Sequence, residues 1–213
     1  MKKILIYGDS NVWGDNFFTG VRIPDDKQWV NILKDKIGDE YILLQEGLPG
    51  RVAGSLEEYK KYKNGKDTFM SIFRTSAPVD KVIIALGTND LQLKYNRSSK
   101  DIINDILWYK EVVKELYEDE EDRKKFFVNE TMPEYIFILP INFDYNGGAE
   151  GIFDANSENI RQEIITYFKE NINDKFIYEN DMDLFEDGIH LNFDGHSKMA
   201  DIVSGVLEDG KNK

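Results

Sequence analysis

The sequence predicts an α/β fold, a five-stranded and mostly parallel sheet covered by helices on both faces, and three observations carry that prediction. Short apolar runs recur along the chain, and between them lie segments whose apolar residues follow helical spacing. At 213 residues, 41% hydrophobic and 13% aromatic, the chain has enough apolar material to bury a sizeable core, and it is read as one domain, 1–213. Strands alternating with amphipathic helices force each crossover to lay a helix over one face of the sheet.

Taken in order, residues 3–7 (Lys3-Ile4-Leu5-Ile6-Tyr7) form an apolar run stopped by Gly8, which suits a buried strand ending in a turn. Residues 16–26 read as a loop. Trp29, Ile32, Leu33 and Ile37 are spaced for a helix, followed by a second strand at 41–44. The third strand spans 81–86, and Ile102, Ile106, Val113 and Leu116 mark the next helix. An acidic run at 118–123 reads as a solvated helix face. The fourth strand is 135–139, and 142–156, rich in Gly, Asn and Asp, is a second loop. Ile160, Ile164, Ile165 and Phe168 give another helix, 175–178 a weaker fifth strand. Met199, Ile202, Val203, Val206 and Leu207 give the last helix, with Asp194 as its N-cap, before a polar tail at 208–213.

Charge narrows the partners. The 27 Lys and Arg against 40 Asp and Glu leave 27 − 40 = −13, which opposes docking on nucleic acids or anionic membranes, both polyanions. The absence of cysteine removes disulfide scaffolds, thiolate metal sites and cysteine nucleophiles together. Only four apolar residues precede Gly8, too few for a secretory leader, and no window reaches the ~18 apolar residues of a membrane span. A cytoplasmic protein is expected.

In parallel sheets ligands bind beyond the carboxyl ends of the strands, which directs attention to the residues after Tyr7, Leu44, Leu86, Leu139 and Tyr178. There stand Gly8-Asp9-Ser10-Asn11-Val12-Trp13-Gly14, then Gln45-Glu46-Gly47-Leu48-Pro49-Gly50-Arg51, then Gly87-Thr88-Asn89-Asp90, and finally Asp187-Gly188-Ile189-His190. These are the parts of a serine hydrolase. A serine hydroxyl needs a base to remove its proton, and the base needs a partner that fixes its tautomer. Asp187, three residues before His190, can reach Nδ1 through one loop turn and leave Nε2 for Ser10. The oxyanion of a tetrahedral intermediate needs donors, and the candidates are the backbone N–H of Ser10, the backbone N–H of Gly50 and the side-chain amide of Asn89.

Gly8-Asp9-Ser10, Gly50, Gly87-Thr88-Asn89-Asp90 and Asp187-x-x-His190 match, in order, the four blocks of the SGNH (GDSL-type) hydrolases, so the chain resembles that family from residue 4 to about 207. The resemblance implies a flavodoxin-like three-layer α/β/α sandwich and an ester hydrolase without a cofactor. It makes Ser10 the nucleophile, Gly50 and Asn89 oxyanion donors, Asp187 the orienting acid and His190 the base. Gly-Asp-Ser-x-x-Trp-Gly at 8–14 and Glu-Gly-Leu-x-Gly-Arg at 46–51 are similar to the arylesterase branch, which acts on small esters and is often oligomeric. Pro49 departs from that branch, which usually has serine there, and Gly47 is therefore kept as a second-choice donor.

Plainer roles compete with these. Ser10 and Asn89 are ordinary turn residues, Gly50 follows a proline as turn glycines do, and Asp187 with His190 can form a structural surface pair. His196 is expected to pack or cap rather than to serve as a second base. Asp9 with Asp90, Asp181 or Asp183 lacks the clustering of a metal site. Trp13 and Trp29 are candidates for pocket walls set against a plain core role, Arg22 and Arg51 are expected to be solvated rather than to bind an anionic group of the substrate, and loops 16–26 and 142–156 are expected to shape the pocket. Within the superfamily, carbohydrate O-acetyl esters, lysophospholipids and thioesters are alternative substrates. A non-catalytic binding module has no need of an intact Ser-His-Asp set, and a nucleotide binder would show a glycine-rich phosphate loop, which is missing.

Overall fold

The structure, a computed structural model, describes residues 1–57 and 60–208. Five strands, β1 (Lys2–Gly8), β2 (Tyr41–Gly47), β3 (Lys81–Ala85), β4 (Glu134–Ile138) and β5 (Lys175–Ile177), pair in parallel in the order β2-β1-β3-β4-β5. The helices are α1 (Ser10–Trp13), α2 (Trp29–Ile37), α3 (Gly65–Ser76), α4 (Ser99–Glu118), α5 (Glu120–Phe126), α6 (Ala155–Asn171) and α7 (Phe193–Glu208).

Alternation along the strands sorts the helices into two layers, because successive side chains leave opposite faces of a sheet. Leu5, Tyr7, Val82, Ile84, Tyr135 and Phe137 join one core cluster with Phe69 and Phe73 of α3, Ile102, Ile106 and Val113 of α4, and Ile164 and Phe168 of α6. Ile4, Ile6, Ile83 and Ile136 join the other, with Trp29 and Leu33 of α2 and Met199, Val203 and Leu207 of α7. The result is the expected α/β/α sandwich with an all-parallel sheet. No helix among the described residues is long and apolar enough to cross a membrane.

Several expectations need correction. Strand β2 runs to Gly47, because Gln45, Glu46 and Gly47 continue the ladder opposite Ile6, Tyr7 and Gly8. Helix α3 was not anticipated: its fully buried side chains are Phe69 and Phe73, four apart, too short a pattern to stand out from the polar residues around it. The acidic run is a junction rather than one face. α4 ends at Glu118, and the Asp119 side chain caps α5 by accepting from the Asp122 N–H at 2.9 Å. Asp194 lies inside the first turn of α7, and Asn192 does the capping, its Oδ1 accepting from the Gly195 N–H at 2.9 Å. Of the tail 208–213 only Glu208 is among the described residues.

Candidate active site

The strand order reverses direction at β1, so the loops after β1 and β3 diverge and leave a crevice at the carboxyl edge of the sheet. Asp9 sits in that crevice as the N-cap of α1, its carboxylate accepting from the Asn11 N–H at 3.0 Å, and Ser10 is the first residue of the helix. Burial pushes the Asp9 carboxyl up to about 6, against the opposing Asn11 hydrogen bond.

From the other end of the chain, the loop before α7 brings Asp187 and His190. Asp187 Oδ1 accepts from the backbone N–H groups of Ile189 and His190, both at 3.1 Å, while Oδ2 meets His190 Nδ1 in a short hydrogen bond. One turn of loop thus fixes the carboxylate and the ring together, as the three-residue spacing predicts. His190 Nε2 lies 3.0 Å from Ser10 Oγ. Burial lowers the His190 pKa, but the hydrogen bond to Asp187 and the negative charges of Asp187, Asp15 and Asp9 outweigh it and hold the imidazole above its ordinary value. Burial likewise raises Asp187, and the hydrogen bonds from His190 overcome it and leave the carboxyl below its ordinary value.

Asn11 closes the seam between the two chain ends. Its Oδ1 accepts from the Leu191 N–H at 2.9 Å and its Nδ2 donates to the Ile189 carbonyl at 3.4 Å. This clip was not recognised in the sequence, where Asn11 looks like any turn residue.

Gly50 and Asn89 face the same place. A cavity of about 380 Å³ is lined by Ser10, Gly50, Asn89 and His190, together with Pro49, Asp15 and Ile189. Gly50 adopts φ +77°, a conformation that suits glycine and turns the loop after β2 toward Ser10. Asn89 Nδ2 donates one hydrogen to the Arg51 carbonyl at 3.0 Å, and the same amide has a second hydrogen to give. Behind it, the buried Asp90 accepts from the Ala53 N–H at 2.7 Å and pairs with Arg97, which pairs with Asp105, which pairs with Lys66 at 2.5 Å. That chain of charges pins the loops after β2 and β3 to α3 and α4. Burial pushes Asp90 up to about 6 despite Arg97.

Other residues fall elsewhere. Gly47 packs under α1, where a Cβ would lie 2.3 Å from the Trp13 nitrogen, and it does not line the cavity. Neither does Trp13, which stacks under the Arg22 guanidinium at 5.9 Å and accepts from Arg22 Nε at 2.6 Å through its carbonyl. Trp29 belongs to the core. Arg51, expected to be solvated, is 4% exposed. Its Nη1 donates to the Gly8 carbonyl at 2.8 Å and to the Glu46 carbonyl, with the guanidinium 4.0 Å from the Tyr7 ring centre. Loop 142–156 supplies Gly151 and Ile152 to the wall, whereas 16–26 supplies nothing beyond its neighbour Asp15. Lys63, Gln92 and Lys94 complete the wall and were missed, because they lie in short 3-10 turns and a connector without a motif.

His196 is buried and structural, with Nδ1 accepting from the Trp29 N–H at 3.2 Å. Among the described residues no three His, Cys, Asp or Glu side chains cluster as metal ligands would.

The family model described as GDSL-like lipase/acylhydrolase matches residues 4–203. No relative of curated function matches the chain. Among solved structures, a carbohydrate acetylesterase from Sinorhizobium meliloti superposes with a TM-score of 0.81 at 21% identity, covering 98% of this chain and 99% of that one. An aryl esterase of M. smegmatis in its inhibitor-bound form gives the same TM-score, identity and coverage. A member of the lipolytic protein G-D-S-L family from Veillonella parvula gives 0.65 at 17% identity over 98% and 99%. At these identities the likeness is one of fold.

Proposed function

The chain belongs to the GDSL-like lipase/acylhydrolase family and is a carboxylic ester hydrolase, and from that premise we propose that it works as a serine esterase through an acyl-enzyme, with Ser10, His190 and Asp187 as its triad. The observation that carries this reading is the unbroken line from Asp187 Oδ2 through His190 to Ser10 Oγ at the mouth of a cavity that Gly50 and Asn89 also line.

In the proposed reaction His190 Nε2 takes the Ser10 hydroxyl proton as Oγ attacks the ester carbonyl. The oxyanion is held by the N–H groups of Ser10 and Gly50 and by the Asn89 amide. Collapse expels the alcohol, which receives the proton from His190. Water then repeats the sequence on the acyl-enzyme, releasing the acid and restoring Ser10. Asp187 holds the tautomer with Nδ1 protonated and stabilises the imidazolium that forms in each half.

A cavity of about 380 Å³ suits a small acyl group and a compact alcohol. The polar lining of Asp15, Lys63, Asn89, Gln92 and Lys94 favours a hydroxylated alcohol, so an O-acetylated carbohydrate is the second reading. A cytoplasmic setting is part of the proposal, and self-association is carried over from the resemblance alone. The test is p-nitrophenyl acetate turnover by the wild type and Ser10→Ala, with a fluorophosphonate adduct mapped by mass. Loss of turnover and a tag on Ser10 are expected. Equal rates, or a tag on another residue, would reject the assignment.

A further inference from the structure

The cavity wall has a charge balance unlike that of the chain around it. Overall, acidic residues outnumber basic ones 40 to 27. Among the residues that line the cavity the fixed charges are Lys63, Lys94 and Asp15, two cations to one anion, with the carboxylates of Asp187 and Asp9 set behind His190. Asp15 lies on the histidine side of the cavity, its Oδ2 4.0 Å from His190 Nε2. No carboxylate among the described residues forms an ion pair with Lys63 or Lys94.

Both lysines stand on backbone that is held in place. The Lys63 carbonyl accepts from the Val52 N–H at 3.1 Å, and Asn64 bridges Val52 in parallel, so Lys63 is tied to the segment that carries Gly50. Lys94 follows Leu93, whose N–H donates at 3.0 Å to the carbonyl of Ile152 in the opposite wall, and its Nζ rests 4.7 Å from the Tyr95 ring centre. A neutral ester offers such cations hydrogen-bond acceptors alone, whereas an anionic one offers a compensating charge as well. An anionic ester, repelled at range by a chain of charge −13, gains from local cations at the site.

We infer that the ester taken by this site carries an anionic group, a carboxylate or a phosphate, held by the ammonium groups of Lys63 and Lys94. The inference rests on the serine-esterase reading and extends it to a substrate class.

The experiment compares near-isosteric esters that differ in one charge. 4-Acetoxybenzoate against 4-acetoxybenzamide places the charge on the alcohol, and monophenyl adipate against its terminal amide places it on the acyl group. The readout is the ratio of kcat/KM, anion over amide, in the wild type, in the Lys63→Met/Lys94→Met double variant and in the corresponding double arginine variant. An exposed charge pair is worth up to about fivefold, so the ratio for one pair should fall about fivefold to twentyfold with methionine and recover with arginine. The pair that responds tells which side of the ester bears the charge. Ratios within about twofold across all three proteins, for both pairs, would overturn the inference while leaving the esterase reading intact. A wild type that hydrolyses none of the four esters would overturn both.

Discussion

Two histidines six residues apart, one in the loop before α7 and one in that helix's first turn, meet opposite electrostatic fates. His190 is ringed by carboxylates, and they hold its pKa above the ordinary value despite burial. His196 is 1% exposed with no carboxylate beside it, and burial, helped by the charge of His190, lowers its pKa to about 4. Burial is common to both, so burial alone does not make a histidine a base. What separates them is the partner on the far ring nitrogen, an aspartate for His190 and the Trp29 N–H for His196.

The largest break in that contrast should come from removing each ring in turn. His190→Gln is expected to lower kcat/KM by about 10⁴ to 10⁶ with a nearly unchanged Tm, as for other triad bases. His196→Gln should keep most activity and lower Tm. A His196 variant that folds and is as inactive as the His190 variant would erase the distinction. Next in size, Asp187→Asn removes the carboxylate that selects the tautomer, and a loss of about 10⁴ in kcat is expected from steady-state kinetics. A loss under tenfold would mean that Asp187 merely braces the loop.

Third is a dependence of stability on pH. Because the folded His196 binds its proton less tightly than the unfolded chain, its contribution is full above about 6.5 and is lost as pH falls toward about 4. Asp9 and Asp90, both pushed up to about 6, act in the opposite sense: their native forms bind protons more tightly, so the stability they add in acid is lost as pH rises through about 6. Denaturant unfolding of wild type and His196→Gln at several pH values cancels the aspartates. The cost of the substitution should shrink by about 3 kcal/mol between pH 7 and 4. A constant cost would show that His196 does not titrate with folding. The smallest effect concerns Asp15→Asn, which removes one negative charge 4.0 Å from His190 Nε2. The acid limb of kcat/KM, set by the neutral imidazole, should move to lower pH. An upward move would contradict the role given to Asp15.

The strands and the four motif blocks were legible because each rests on local chemistry: an apolar run that stops at a glycine, or an Asp-x-x-His turn that closes on itself. The reading of Arg51 failed because nothing local marks an arginine whose carbonyl partners, Gly8 and Glu46, come from two strands. Trp13 looked like a pocket wall because it follows Ser10 closely, yet a helical turn carries it away to Arg22. Lys63 and Lys94 show the same limit from the other side. Their place at the cavity depends on ties to Val52 and Ile152 that only the folded chain makes.

The Asn11 clip joins backbone on either side of a seam 180 residues wide in sequence. During synthesis Ser10, the proposed nucleophile, leaves the ribosome first and waits, as a plain alcohol, for almost the whole polypeptide before His190 arrives. On the proposed mechanism, hydrolysis is expected to begin only when the last loop docks, and a nascent or truncated chain is expected to be silent. Time-resolved release of a fluorogenic ester during cell-free translation would read the completion of folding directly.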